Sequence, residues 1–202
     1  MPFLYVYSPS DFVGGLPRES GGAARGSGTF NLTLTPGAQP TLIEVNDNEG
    51  TINEIDYSQD LAGNVNIDGT SYSAGTTVHS AYDLINTSTG HKVTSLHFGG
   101  DGYEQGAVHG LVSTEPLSPG TTYTFNYERT SYRQNNAYED YVACFVAGTQ
   151  VRAAFGEVSV ESLEPGDQVM TVDGAKQTVR LVLKRNLTMS ELDAHPNLRP
   201  VR

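Results

Sequence analysis

The sequence predicts an all-β fold, with an N-terminal β-sandwich or jelly-roll-like domain followed by a second, smaller β-rich unit. Three observations predict it. Apolar and polar residues alternate with a period of two over several short runs, turn-forming clusters recur about every ten residues, and the first 143 residues hold no long amphipathic helix.

The clearest strands lie at the two ends of the first domain. Phe30, Leu32 and Leu34 alternate with Thr29, Asn31, Thr33 and Thr35, and Tyr123, Phe125 and Tyr127 alternate with Thr122, Thr124 and Asn126. Between them, strands are expected at Thr41–Val45, Thr51–Ile55, Val65–Ile67, Tyr82–Ile85, Lys92–Phe98 and Ala107–Val112. The separating turns are Pro36-Gly37, Asn46-Asp47-Asn48, Asp68-Gly69, Thr89-Gly90, Gly99-Gly100-Asp101-Gly102 and Ser118-Pro119-Gly120. Residues 1–28 are expected to be a flexible arm, because Gly14 to Gly28 is rich in Gly, Ser and Ala. Residues 29–137 form the β-domain, and the polar stretch ending in 138–143 reads as a linker.

At Cys144 the charge changes as well. Residues 1–143 carry 16 acidic and 5 basic side chains, a net of −11, whereas residues 144–202 carry 7 of each. So acidic a first part repels nucleic acid and anionic membrane surfaces, and nucleic-acid binding is excluded. No apolar run reaches the length of a spanning helix, so membrane insertion is excluded too. The opening Met1-Pro2-Phe3-Leu4-Tyr5-Val6-Tyr7-Ser8 lacks a basic n-region and is too short for a cleavable secretory signal.

Cys144 is the only cysteine. A lone cysteine has no partner for an intramolecular disulfide and too few companions for a thiolate metal site, which leaves an apolar packing residue or a nucleophile. It opens Cys144-Phe-Val-Ala-Gly-Thr149, followed by Val160-Glu161-Ser162-Leu163-Glu164-Pro165-Gly166-Asp167-Gln168-Val169, and later by His195-Pro196-Asn197-Leu198-Arg199-Pro200. These blocks resemble the opening of a Hint domain, the self-processing module of hedgehog proteins and inteins, in its bacterial subfamily.

The resemblance covers residues 144–202 and implies the N-terminal part of a β-rich Hint domain. It implies that Cys144 is the nucleophile and that Ala143 supplies the scissile carbonyl, the thiol converting the preceding amide into a thioester by an N–S acyl shift. It also implies a downstream histidine that protonates the departing nitrogen. The one histidine after Cys144 is His195, whose His-Pro-x-Leu-Arg-Pro context differs from that block. Losing such a proton donor costs ~10² to 10⁴ in rate. The module is therefore expected to be inactive in this chain, with Cys144 packed as a small apolar residue. In the same segment, Gly166 is expected at positive φ in a tight turn, Asp167 to cap that turn, and Asp173-Gly174 to close the next hairpin.

In the first domain, Asn46-Asp47-Asn48-Glu49-Gly50 is oxygen-rich, but Val45 stands where an EF-hand loop needs Asp or Asn, so a hairpin turn is expected. His79, His91, His97 and His109 lack metal-ligand spacing and are expected as scattered surface or strand histidines. No metal and no cofactor are expected. Eleven tyrosines and no Trp are compatible with a recognition surface or with sandwich edges and cores.

Three functional readings follow. The first is an acidic β-domain for binding or assembly joined to a Hint module that no longer cuts. Its partner is a protein or glycan surface, a second copy of the chain, or a phage-like particle in which it is a spike or decoration protein. The second is autoprocessing at Ala143–Cys144 that releases an extracellular β-domain. The third, a β-sandwich enzyme acting on glycans, lacks a carboxylate pair. Any enzymatic activity would be self-processing, without an external substrate. The expected location is outside the cell or in a phage-like particle.

Overall fold

The computed structural model describes residues 2–18, 29–103, 107–130, 134, 136–141, 148–154, 156–171, 174–179 and 182. The chain divides into two compact units, Met1–Ala143 and Cys144–Arg202. The described residues are all-β, with antiparallel strands and three short 3-10 turns. Among them, no helix is long and apolar enough to cross a membrane.

The centre of the first unit is a four-stranded sheet in the order β11 (Tyr127–Thr130), β7 (Val78–Ile85), β8 (Lys92–Phe98), β9 (Gly110–Ser113). Every residue of β8 is buried, as is all of β7 except Ile85, so this sheet is covered on both faces. Leu96, Phe98 and Val112 point to one face, where they meet Leu4 and Val6 of β1 (Phe3–Val6), Ile43 and Val45 of β3 (Thr41–Asn46) and Leu61 of β4 (Asp60–Leu61). Val93 and Leu111 point to the other face, against Leu32 of β2 (Phe30–Thr33) and Phe125 of β10 (Thr122–Phe125). The sandwich-like core is thus two apolar layers on either side of one sheet. The hairpin of β5 (Val65–Ile67) and β6 (Thr70–Tyr72) turns through Asp68 and Gly69, at φ 54° and 79°, the doubly positive pair of a type I′ turn.

One irregularity aims a whole strand. The β7–β8 register shifts between Ser80 and Asp83. A bulge there inserts one residue and flips the alternation, so Asp83 opposite Thr94 and Ser80 opposite Leu96 share a face although they are three apart. At Gly110 of β9 the constraint is space. A Cβ there would overlap Val6 of β1. Gly110→Ala is expected to cost about 1–3 kcal/mol by overpacking, seen as a lower denaturant midpoint. Gly50→Ala, where the added atom meets nothing within 4 Å, is the control.

Several expectations need correction. Residues 1–28 are not simply an arm: Phe3–Val6 is a strand paired with β3, Leu4 and Val6 are fully buried, and Phe12 bridges Leu34. Residues 19–28 lie outside the described residues. Nor is 138–143 simply a linker. Tyr138–Tyr141 is a 3-10 turn whose two tyrosines are buried in the first core layer. Thr51–Ile55 is not a strand but makes a single bridge, Thr51 to Ala137. In each case a contact distant in sequence decides the local structure.

The second unit has a four-stranded sheet in the order β13 (Gly156–Ser159), β12 (Gln150–Ala153), β14 (Gln168–Met170), β15 (Lys176–Thr178). Strand β12 lies between β13 and β14, so the segment between those two crosses over β12 rather than forming a hairpin.

Candidate functional site

Ala143, Cys144 and His195 lie outside the described residues, and so does Asp173. What is described is the frame that follows Cys144. Val160–Ser162 forms a 3-10 turn closed by the Leu163 N–H on the Val160 carbonyl at 3.2 Å, with the Leu163 side chain buried. Glu161 faces the other way, and its Oε2 accepts the Gly148 N–H at 2.8 Å, while the Val160 N–H donates to the Thr149 carbonyl at 2.8 Å. The Val-Glu-x-Leu block therefore grips the Gly148-Thr149 end of the Cys144 block. Glu161→Ala is expected to cost about 1 kcal/mol, since this hydrogen bond is solvent-exposed. Faster amide exchange at Gly148, with little change at Gln177, is the readout.

Gly166 has φ 103°, in the positive range expected for it, and the Glu164 N–H donates to Asp167 Oδ2 at 2.9 Å. Asp167 thus caps the turn, as its place after Pro165-Gly166 implied. The Gly166 N–H reaches the Val179 carbonyl at 2.8 Å, which ties this turn to the end of β15. Strands β14 and β15 pair from Met170–Lys176 to Gln168–Thr178, joined by a turn that includes Gly174.

A second constellation lies in the first unit and went unseen in the sequence. Asp83, fully buried, accepts hydrogen bonds from Arg129 Nε at 2.9 Å, Thr94 Oγ1 at 2.6 Å, Asn136 Nδ2 at 3.0 Å and Gln134 Nε2 at 3.2 Å, and pairs with Arg129 Nη2 at 2.8 Å. Lys92 Nζ donates to Asn136 Oδ1 at 3.0 Å, lies 3.5 Å from Asp140 Oδ2, and sits 5.0 Å from the centre of the Tyr141 ring. The Tyr141 hydroxyl reaches Asn136 Oδ1 at 3.0 Å and Thr94 Oγ1 at 2.6 Å. Burial pushes the Lys92 ammonium below its usual pKa, while Asp83 and Asp140 pull it back up. Burial also lifts Tyr141 well above the ordinary phenol range, with the Asp83 charge adding to it. The available signal was Asp83 and Lys92 inside strands otherwise built to be buried.

Of the two places expected for the histidines, strands hold His79 on β7 and His97 on β8, and the surface does not describe the set. His79, His91 and His97 are all buried. His79 Nδ1 contacts the Glu54 carbonyl at 2.9 Å, His91 Nε2 contacts Ser113 Oγ at 2.8 Å, and His109 Nδ1 accepts the Phe98 N–H at 3.0 Å. Burial lowers the His91 pKa, against a weaker upward pull from Glu115. Among the described residues no group of three or more His, Cys, Asp or Glu could hold a metal ion. The Asn46–Gly50 loop is not a tight hairpin turn, since the chain returns on β3 only as β4, where Asp60 pairs with Asn46. Asp47 Oδ1 accepts the Glu49 N–H at 2.9 Å, and Asp47 Oδ2 accepts the Tyr138 hydroxyl at 2.7 Å, so the loop docks on the 137–141 segment.

Residues 143–202 match the family model of the Hint domain. The chain is a Hint-domain-containing protein, with the Hint region in the C-terminal part of this sequence. No curated protein and no solved structure matches the chain.

Proposed function

We propose that Met1–Ala143 is an acidic β-domain for binding or assembly, carried by a Hint module that does not cleave within this 202-residue chain. What supports the division is a coincidence of boundaries. The second compact unit begins at Cys144, the family match begins at residue 143, and the acidic charge ends there. The binding role draws support from the surface. Tyr5, Ile55, Tyr57 and Tyr103 are exposed, and the loops carrying the last three meet where Gly102 packs against the Glu54 carbonyl. Exposed tyrosines among carboxylates suit a protein or glycan surface, including a second copy of the chain or a particle component. The test compares wild type with a Tyr57→Ser/Tyr103→Ser variant on a glycan array and in sedimentation. Glycan binding or self-association that the variant loses supports the role, and equal behaviour in both assays refutes it.

A second reading, autoprocessing after Ala143, is favoured by the position of Cys144 as the first residue of its unit. A fragment ending at Ala143 in wild type, absent from Cys144→Ala, would establish it.

A further inference from the structure

We propose that Lys92 and Asn136 become joined by an autocatalytic isopeptide bond, formed inside the first unit by the side chains that surround them. The bond would link the first residue of β8 to the segment that runs out of the unit, 44 residues further on.

The reactants are already together and dry. Lys92 is 8% exposed, Asn136 and Asp83 are both 0% exposed, and Lys92 Nζ touches the Asn136 amide oxygen at 3.0 Å. A lysine confined against one amide replaces an encounter in solution by a preset approach, the largest part of what intramolecular reactions gain. Burial also favours the neutral amine, the form that attacks.

Each remaining role has an occupant. The ammonium proton of Lys92 passes to the Asp140 carboxylate, 3.5 Å away. The freed amine lone pair attacks Asn136 Cγ, the Nζ–Cγ bond forms, and the carbonyl π pair moves onto Oδ1. The Tyr141 hydroxyl faces that oxygen at 3.0 Å and donates to the oxyanion as it develops. Asp83 Oδ1 accepts from Asn136 Nδ2 at 3.0 Å and is fixed by Arg129, Thr94 and Gln134. It takes the second Lys92 proton and returns it to Nδ2. The Cγ–Nδ2 bond then breaks, the carbonyl reforms, and ammonia leaves, taking up the proton held by Asp140. The product is a secondary amide and one ammonium ion; nothing is oxidised or reduced.

The consequence is mechanical. Asn136 precedes the Tyr138–Tyr141 turn, which leads to the Ala143–Cys144 boundary. A covalent link from there to the central sheet would keep the exit segment attached when the rest of the unit loosens; its use in binding or assembly rests on the function proposed above.

The test is the denatured mass of the full chain. A bonded chain is lighter than its sequence by one ammonia, and trypsin leaves Lys92 uncut, giving a branched product in which residues 26–129 are joined to residues 134–152. Full sequence mass with cleavage after Lys92 overturns the proposal. So does loss of ammonia without the branched peptide, which would report asparagine cyclisation instead. Lys92→Arg and Asn136→Ala are each expected to show the full mass of their own sequence; because either variant could fail to fold, the wild-type mass and digest alone decide.

Discussion

Asp83→Ala is expected to destabilise the first unit by about 3–5 kcal/mol, the range for breaking a buried ion pair from one side. Asp83 is fully buried and pairs with Arg129, while it also accepts from Thr94, Gln134 and Asn136. Removing its carboxylate takes away the acceptor those donors share in a largely buried space and leaves the Arg129 guanidinium without its ion-pair partner. Arg129 keeps some access to solvent and relaxes outward, so the loss falls most heavily on Asn136 and the segment that follows it. Urea unfolding followed by tyrosine fluorescence should show a much lower midpoint. A change under about 1 kcal/mol would mean that the network contributes little. A double variant, Asp83→Ala/Arg129→Met, should recover part of the loss, because it removes the orphaned charge as well.

Alkaline pH is expected to have the next largest effect. Burial raises the pKa of Tyr7, Tyr72, Tyr138 and Tyr141 above the ordinary 10.0, with hydrogen bonding to Asp47 adding to the shift at Tyr138. Their folded values lie above their unfolded ones, so the folded chain holds these protons after the unfolded chain has released them. Stability is therefore unaffected by these groups below about pH 10 and falls as pH rises beyond it, by up to about 1.4 kcal/mol per pH unit for each group. Where Lys92 has not reacted with Asn136 it has the opposite sign, because burial holds its folded pKa below the ordinary 10.5. It adds stability as pH climbs towards 10.5 and nothing after that. A plot of unfolding free energy against pH should thus be level or gently rising up to about pH 10 and then descend steeply. Tyrosinate absorbance from Tyr7, Tyr72, Tyr138 and Tyr141 should appear together with unfolding.

Local signals in the sequence were legible and long-range ones were not. Asp68-Gly69 announced its hairpin because a type I′ turn is decided by two residues, and Glu164-Pro165-Gly166-Asp167 announced its turn for the same reason. Lys92–Phe98 was readable as a strand, yet nothing in it revealed that both faces would be covered. Asp83 faces Thr94 only because a bulge shifts the register, and no alternation pattern encodes that. The stretch before Cys144 read as a connector because it is polar. Its polarity instead supplies Gln134, Asn136 and Asp140 to a network whose other members lie on β7, β8 and β11. Strand β1 was overlooked because four residues near a Gly-rich tract carry little periodicity, although Leu4 and Val6 fill the core. In the Hint region the Cys144 and Val-Glu-x-Leu blocks were legible as motifs, but the Glu161–Gly148 hydrogen bond that joins them was not.

Above all, the acidic β-domain is expected to stay attached to the Hint region across Ala143–Cys144. The most direct measurement is the mass of the purified 202-residue chain after a day with hydroxylamine or excess thiol, both of which cleave a thioester at Cys144. One uncleaved species is the predicted result, identical for wild type and Cys144→Ala apart from the substitution. A fragment ending at Ala143 that forms in wild type and not in Cys144→Ala would contradict it and make autoprocessing the activity of this chain.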